Sequence, residues 1–176
     1  MKDDSQKKKI LIDADVTIHF HQGNKLELIR KIFPERIVYN EKVIEELYIH
    51  PEYKVEMYNF ISKGSFERID LNDNIDYIQE YAKIIKFAGK GEAACMAIAK
   101  VNSDYIASSN LKDIKEYCDN NGIKIITTMD FLWEAFQTRL LTEDECDNFI
   151  KDVLAAGSKL PVKSFEEYVK KYVMKK

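Results

Sequence analysis

The sequence predicts an α/β fold in which a parallel β-sheet lies between layers of helices, an α/β/α sandwich. Short apolar stretches rich in β-branched residues alternate with longer stretches of helical spacing from residue 9 to residue 127. Such alternation is typical of parallel sheets, whose strands are joined by helices. After residue 129 the pattern is helical only, which predicts extra C-terminal helices beyond the sheet.

The predicted strands are short and mostly built from Ile, Val and Tyr, the residues that favour strands. They cover residues 9–13, 36–39, 66–71, 104–108 and 123–127. The first of them, Lys9-Ile-Leu-Ile-Asp13, is apolar in its centre and ends in an acid. This pattern predicts a buried strand whose carboxyl end carries a polar group.

Several of the predicted helices begin at a capping residue or end near a glycine. The predicted helices cover residues 17–33 with a break at Gly23, 40–47, 51–61, 74–87, 92–101, 110–118, 129–139, 143–155 and 164–174. Asn40 is an expected N-cap, and the run Asn72-Asp73-Asn74 is expected to cap the helix that follows it. Thr142 with Glu145 three residues later forms a capping box.

The length of 176 residues fits one domain with a small extension. We expect a polar tail at 1–8, a main domain at 9–140 and a C-terminal helical extension at 141–176 packed on it. Apolar runs are far shorter than the roughly 18 residues of a membrane span, and the polar start does not resemble a signal peptide. The expected location is the cytoplasm, with no membrane association.

Cysteine usage agrees with a reducing compartment. Cys95, Cys118 and Cys146 are odd in number and widely spaced, which predicts buried free thiols. The net charge of −3 argues against a protein that binds nucleic acid mainly through a basic surface. A metal-dependent nuclease remains compatible with an acidic chain, because its site must be acidic to hold the metal.

Acidic residues follow several predicted strands. They are Asp13 and Asp15 after the first strand, Glu45 and Glu46 after the second, Glu92 after a Gly-Lys-Gly break, and Asp113 after the fourth. The carboxyl ends of parallel strands meet at one edge of a sheet, where ligands bind. Carboxylates gathered there would suit Mg²⁺ or Mn²⁺. Taken singly, Glu92 and Asp113 could equally be acids that favour the first turn of a helix.

Five segments resemble, in order and spacing, the motifs of the PIN domain, a nuclease fold used by many bacterial and archaeal toxin ribonucleases. The segments are Ile10-Leu-Ile-Asp-Ala-Asp-Val16, Val43-Ile-Glu-Glu-Leu47, Gly91-Glu-Ala-Ala-Cys-Met-Ala-Ile-Ala99, Tyr105-Ile-Ala-Ser-Ser-Asn-Leu-Lys-Asp113 and Asn121-Gly-Ile-Lys-Ile-Ile-Thr-Thr-Met-Asp-Phe-Leu132. The resemblance spans roughly residues 9 to 160. In one branch of the family the last helix leads into a C-terminal helical extension.

The resemblance implies a metal-dependent ribonuclease that hydrolyses RNA phosphodiesters with Mg²⁺ or Mn²⁺. The implied catalytic residues are Asp13, Glu46, Glu92 and Asp113, the implied metal ligands are Asp13, Glu92, Asp113 and Asn110, and secondary candidates are Asp15, Ser109 and Glu45. The second motif favours Glu46 over Glu45. Implied partners are an RNA substrate, a possible antitoxin protein and a possible second copy of the chain.

The sequence departs from the family pattern at three positions. Asp15 stands where Asn or Ser is commoner, and Ser109 and Asn110 stand where many relatives have acids. The fourth acid is then Asp113 or is missing. Ser109 and Thr17 are candidates for phosphate contact or for helix capping.

Two alternatives stay open. The departures at Ser109 and Asn110 also fit a catalytically impaired PIN-like module that binds RNA or protein. Asp13-Ala-Asp-Val-Thr resembles the start of haloacid-dehalogenase-type phosphatases, in which Asp13 would be a nucleophile and Asp15 a general acid. No Gly-Asp metal motif follows Thr128, so the phosphatase is the less favoured alternative.

Overall fold

A computed structural model describes residues 8–174, so the predicted polar tail lies outside the described residues apart from Lys8. The sheet has five strands in the order β3-β2-β1-β4-β5, and each neighbouring pair is parallel. The strands are β1 Ile10–Ile12, β2 Ile37–Asn40, β3 Glu67–Ile69, β4 Tyr105–Ala107 and β5 Ile125–Ile126. The predicted α/β class with a parallel sheet is therefore confirmed.

The central strand β1 fixes the edge at which the acids lie. Ile10 pairs in parallel register with Ile37 of β2 on one side and with Tyr105 of β4 on the other. All three residues of β1 are buried, as expected for a strand covered on both faces. The backbone N–H of Asp13 donates to the carbonyl of Ala107 at 2.9 Å, so Asp13 continues the ladder to the end of β4.

Ten α-helices occur in residues 8–174, with short 3₁₀ turns at Leu26–Leu28 and Leu71–Asp73. The helices are α1 Ala14–Gln22, α2 Ile29–Ile32, α3 Glu41–Ile49, α4 Lys54–Lys63, α5 Ile75–Ile84, α6 Lys90–Asn102, α7 Leu111–Asn120, α8 Thr128–Gln137, α9 Glu143–Ala155 and α10 Phe165–Tyr168. The small-residue helix α6 packs on the central strands, and four of its eight buried residues are alanines.

The helix boundaries differ from the sequence-based expectation in a few places. Helix α1 begins at Ala14 rather than Thr17, because the Asp13 side chain itself caps it. Helix α4 begins at Lys54, three residues after Pro51. The last helix changes after Tyr168 to the wider turns of a π-helix over Val169–Val173. The capping box of Thr142 and Glu145 is present as predicted.

The C-terminal helices share one core with the rest of the chain. The ring of Phe20 in α1 lies 5.6 Å from that of Phe131 and 5.0 Å from that of Phe149 in α9. A Cβ atom at Gly23 would lie 2.2 Å from Cδ2 of Phe149, so glycine is required where α9 crosses the end of α1. Within the described part, no helix is both long and apolar enough to cross a bilayer. The three cysteines are buried free thiols, as predicted.

Candidate acidic active site

Asp13 is fixed at the carboxyl end of β1 by two hydrogen-bond donors. The backbone N–H of Ala14 donates to Oδ1 at 2.9 Å, and the hydroxyl of Ser108 donates to Oδ2 at 3.4 Å. The residue is only 4% exposed. A carboxylate held this deeply is costly unless its charge is compensated.

Asp15, a secondary candidate in the sequence, lies against the loop that follows β4. Its Oδ2 accepts from the backbone N–H of Ser109 at 2.7 Å and from the hydroxyl of Ser108 at 3.3 Å. Asp13 and Asp15 therefore share the Ser108 hydroxyl. The start of α1 and the end of β4 hold the two carboxylates together.

Glu46 reaches the same place from α3, across the first turn of α6. A Cβ atom at Gly91 would lie 2.7 Å from Oε2 of Glu46 and 3.3 Å from Oδ1 of Asp13. The carboxylates of Glu46 and Asp13 thus lie close to the backbone of Gly91, where a side chain would crowd them. The neighbouring Glu45 instead pairs with Lys42 at 3.0 Å on the exposed face of α3.

Glu92 and Asp113 are joined by the amide of Asn110. The amide nitrogen lies 2.6 Å from Oε1 of Glu92 and 2.9 Å from Oδ2 of Asp113. Because ionised carboxylates only accept hydrogen bonds, the NH₂ group must face both of them. The backbone N–H of Gly89 also donates to Glu92 Oε2 at 3.2 Å, which closes a capping box at the start of α6.

An open cavity of about 510 Å³ collects most of these side chains. Its lining includes Asp13, Asp15, Glu45, Glu46, Glu92 and Asn110, with Lys42 and Lys90 also present. Asp113 does not line it; that residue borders a separate cavity with Phe87 and Tyr117. The structure therefore brings together all the predicted positions except Asp113 and Ser109, and it links these two to the cluster by hydrogen bonds.

The electrostatics of the cavity are those of crowded acids. Burial raises the pKa of Asp13 well above its usual range, and the nearby charges of Asp15, Glu92 and Glu46 raise it further. Burial is also the largest cause that raises the pKa of Asp15, Glu46 and Glu92. In the described part of the chain none of these four carboxylates forms a salt bridge. Such a cluster attracts a cation.

The comparison with protein families decides the assignment. The family model DUF3368, described as a PIN domain, matches residues 9–173. The chain belongs to the PIN-domain family. PIN domains are generally nucleases that act on nucleic acids and use divalent metals. No curated protein gives a significant match. The family match favours the PIN interpretation over the phosphatase, and it covers both the sheet and the C-terminal helices.

The side chains of the acidic cavity are of the chemical type that binds a divalent cation, but they are not arranged as a complete set of ligands. Carboxylate and amide oxygens are the hard ligands that Mg²⁺ and Mn²⁺ prefer. Across residues 8–174, however, no three His, Cys, Asp or Glu side chains stand in a ready-made ligand arrangement. Glu46 and Glu92 are partly exposed on helices, so they have room to draw inward.

A chain of buried polar side chains supports the loop after β4 in this PIN domain, and little in the sequence indicates it. Thr128 Oγ1 lies 2.8 Å from Nδ1 of His19 and 2.8 Å from the hydroxyl of Ser109. Thr128 also donates its backbone N–H to Ser109 Oγ at 3.0 Å. The loop that binds Asp15 is thereby anchored to α1 and α8. Adjacent threonines after β5 were the only sequence signal for this contact.

Thr17 is not available for contact with phosphate. It is fully buried, and its hydroxyl lies 3.0 Å from that of Tyr39 in β2. Ser109 is tied to Thr128 by its side chain and to Asp15 by its backbone. Its role in the structure is to position the acidic cluster.

Proposed function

We propose that the protein is an Mg²⁺- or Mn²⁺-dependent endoribonuclease whose active site is the acidic cavity. The supporting observation is that Asp13, Asp15, Glu46 and Glu92 line one cavity, none of them paired with a lysine or arginine within residues 8–174. An acid buried as deeply as Asp13 destabilises a fold unless its charge is compensated, and three more acids beside it without cationic partners favour a role in binding a cation.

Asp13, Glu92 and Asn110 are the proposed metal ligands in the cavity, with Asp113 behind Asn110 as a fourth, indirect member. When bound, a divalent cation lowers the pKa of a coordinated water and offsets charge on the phosphate. The donors from Ala14 and Ser108 orient the Asp13 carboxylate before any ligand arrives. The Asn110 amide holds Glu92 and Asp113 apart from one another.

Glu46 is the proposed proton acceptor. Burial and the nearby Glu92 raise the pKa of its carboxyl group, which makes it a better base. In the proposed step a water oxygen bonds to phosphorus, Glu46 takes a proton from that water, and the bond from phosphorus to the 3′ oxygen breaks. The products are a 5′-phosphate and a 3′-hydroxyl, whose proton comes from solvent. Lys90 at the cavity is the proposed contact for a backbone phosphate, whereas Lys42 there is paired with Glu45.

The test is cleavage of end-labelled single-stranded RNA by the purified full chain with Mn²⁺, with Mg²⁺ and with chelator. We expect metal-dependent cleavage that falls by at least about 100-fold in Asp13→Asn, the scale expected for loss of a group that acts in the transition state. Asp152→Asn is the matched control, because Asp152 is exposed on α9, does not line the acidic cavity and should be replaceable with little loss. Hydrolysis of a phosphate monoester without RNA cleavage would contradict the proposal.

A second candidate function is a PIN fold that binds RNA without cutting it. The observation in its favour is Asn110, a neutral residue at a position where many relatives have an acid. This candidate predicts an RNA complex in a gel-shift assay that forms equally with Mn²⁺ or chelator, with intact RNA recovered from it. Cleavage lost in Asp13→Asn would exclude it.

We further propose that the protein acts as the toxin of a toxin–antitoxin pair, which rests on the resemblance to toxin ribonucleases. Induced expression should arrest growth for the natural chain and not for Asp13→Asn. Co-expression with the product of the adjacent gene should restore growth and yield a complex on copurification. Light scattering of the purified chain tests the proposed homodimer. Growth unaffected by the active enzyme would contradict the toxin role.

A further inference from the structure

A second cavity, of about 450 Å³, lies beside the acidic one and is closed by the C-terminal extension. One wall comes from the loops after β4 and β5, and the other from the segment that follows α9. Its lining residues are Ser109, Leu111, Thr127, Met129, Asp130, Lys159, Leu160, Pro161, Tyr168 and Tyr172. This volume falls within the range of roughly 300–1,000 Å³ that is usual for small-ligand sites.

The lining is mostly apolar and carries two tyrosine rings. Tyr168 is buried, and its hydroxyl donates to Asp130 Oδ1 at 2.9 Å, which fixes the ring. The ring of Tyr172 lies 5.5 Å away at an angle of 30° and is 38% exposed. The other oxygen of Asp130 accepts from the backbone N–H and the hydroxyl of Thr127. Asp130, the one acid in this lining, therefore already accepts hydrogen bonds from protein groups at both of its carboxylate oxygens.

One loop separates the two cavities. Asn110 lines the acidic cavity, while its neighbours Ser109 and Leu111 line the apolar one. Ser109 also donates its backbone N–H to Asp15 at 2.7 Å, so a single residue borders the apolar cavity and positions the acidic cluster. The two cavities are therefore lined by consecutive residues of one loop.

We propose that the apolar cavity holds a nucleobase of the RNA strand next to the phosphate bound at the acidic cluster, an inference that rests on the proposed function. Single-stranded RNA is commonly recognised by stacking unpaired bases on aromatic side chains, with nearby cations on the backbone. Tyr172 supplies an exposed ring and Lys159 a cation in the same lining. The continuity with the acidic cavity favours a nucleotide over a peptide side chain.

The test is a double-mutant cycle that measures RNA binding by fluorescence anisotropy in Mn²⁺. Every protein in the cycle, including the otherwise natural chain, carries Glu46→Gln, which removes the proposed proton acceptor so that no cleavage occurs and leaves the proposed metal ligands in place. The probes are a short single-stranded oligoribonucleotide and versions in which one position at a time lacks its base. We expect Tyr172→Ala to weaken binding of the intact probe by about tenfold, the scale of one stacked base. Tyr172→Phe keeps the ring and should bind normally.

The cycle identifies the contact by non-additivity. At one position of the probe, removal of the base should weaken binding to the natural chain and have little further effect on Tyr172→Ala. Tyr58→Ala is the matched control, because Tyr58 is 57% exposed on α4 and lines neither cavity. It should bind both probes as the natural chain does. Thermal unfolding verifies that each variant is folded.

The failures of the two proposals are distinguishable. If base removal and Tyr172→Ala are coupled but the natural chain does not cleave RNA in Mn²⁺, the nuclease is refuted and the nucleobase site stands. If the natural chain cleaves RNA but the losses of binding from base removal and Tyr172→Ala are additive at every position of the probe, the nucleobase site is refuted and the nuclease stands. Absence of RNA binding, or an effect of Tyr172→Ala on a protein partner alone, would also overturn the nucleobase assignment.

Discussion

Asn110 donates from its side-chain nitrogen to Glu92 at 2.6 Å, and the same nitrogen reaches Asp113 at 2.9 Å. A neutral amide thus lies between two carboxylates. Burial raises the pKa of Glu92 and the charges of Asp113 and Asp15 add to this rise, while the contact with Asn110 counteracts it. The amide therefore helps keep Glu92 ionised and oriented in the absence of metal.

Asn110→Asp replaces this donor with a third negative charge. In chelator we expect the free energy of unfolding to fall by about 1–2 kcal/mol, because like charges at this distance repel. In Mn²⁺ we expect a larger rise in melting temperature than for the natural chain, since an added ligand charge favours the cation. Thermal unfolding with chelator and with increasing Mn²⁺ measures both effects.

Asn110→Ala is the control, because it removes the donor without adding charge. It should lose stability in chelator and gain no extra stabilisation from Mn²⁺. Equal responses of the Asp and Ala variants to Mn²⁺ would show that residue 110 does not face a cation.

Gly91→Ala should separate activity from stability. The added Cβ would lie 2.7 Å from Glu46 Oε2, so the flexible Glu46 side chain must move away from Asp13. Alanine is also about 1 kcal/mol better than glycine inside a helix. The Cβ would also lie 3.1 Å from Cγ2 of the buried Val43, which offsets this preference. We therefore expect little change in melting temperature together with at least about a tenfold loss of RNA cleavage, because the catalytic carboxylates are displaced.

Gly89→Ala is the matched control for this substitution. A Cβ atom there would lie 3.4 Å from Glu92 Oε2, an ordinary contact, and would leave Glu46 in place. It should retain most of the cleavage activity. If both alanine variants lose activity equally, displacement of Glu46 is not the cause.

The parts of the site that the sequence predicts are those fixed by local structure. Asp13 follows an apolar strand directly, and Asn40 caps the helix after the next strand, so each position follows from its neighbours in the chain. A parallel sheet then places such strand ends at one edge. The position of the acidic cavity could be predicted from these features alone.

The parts that the sequence does not predict depend on contacts between distant segments. Asp15 enters the cavity because Ser108 and Ser109 donate to it across more than 90 residues of chain. Asp113 does not line the acidic cavity. Its carboxylate accepts a hydrogen bond from Asn110, and the residue borders the neighbouring cavity instead. The apolar cavity exists only because the segment after α9 returns to the ends of β4 and β5, which no local pattern encodes.

Glu80 joins three helices behind the site. Its Oε1 accepts from Lys100 on α6 and from Tyr117 on α7, both at 2.7 Å, and its Oε2 accepts from Lys83 on α5 at 2.8 Å. Burial would raise the pKa of Glu80, but these hydrogen bonds outweigh it and lower the pKa to about 2. At pH values above the usual pKa of glutamate, the ionised form of Glu80 therefore stabilises the fold. That stability is lost as pH falls towards 2.

Glu80→Gln should lower the free energy of unfolding at neutral pH by about 2 kcal/mol, because it removes the charge that two lysines and a tyrosine share. Denaturant unfolding measures the loss. Glu116→Gln, an exposed acid on α7, is the control and should change stability by less than about 0.5 kcal/mol. A loss confined to the control, or equal in both, would contradict the role of Glu80.

His19 makes the stability of the fold depend on pH in the mildly acidic range. It is 6% exposed, its Nδ1 lies 2.8 Å from Thr128 Oγ1, and burial lowers its pKa to about 4. As pH falls below the usual histidine pKa of about 6.5, His19 becomes protonated in the unfolded chain. In the folded chain it stays neutral until about pH 4. Stability from the neutral ring is thus present above about pH 6.5 and is lost as pH falls towards 4.

His19→Gln removes this titration. The natural chain should lose about 2 kcal/mol more of its free energy of unfolding than the variant between roughly pH 7 and pH 5. Denaturant unfolding of both proteins at the two pH values gives the difference directly. The comparison must be made between proteins, because the raised pKa values of Asp13 and Asp15 act in the opposite direction, so protonation of these acids favours the fold. Equal losses of the free energy of unfolding in both proteins would show that His19 becomes protonated in the folded state as readily as in the unfolded chain. The contacts that link His19 through Thr128 to Ser109 would then not keep the ring neutral.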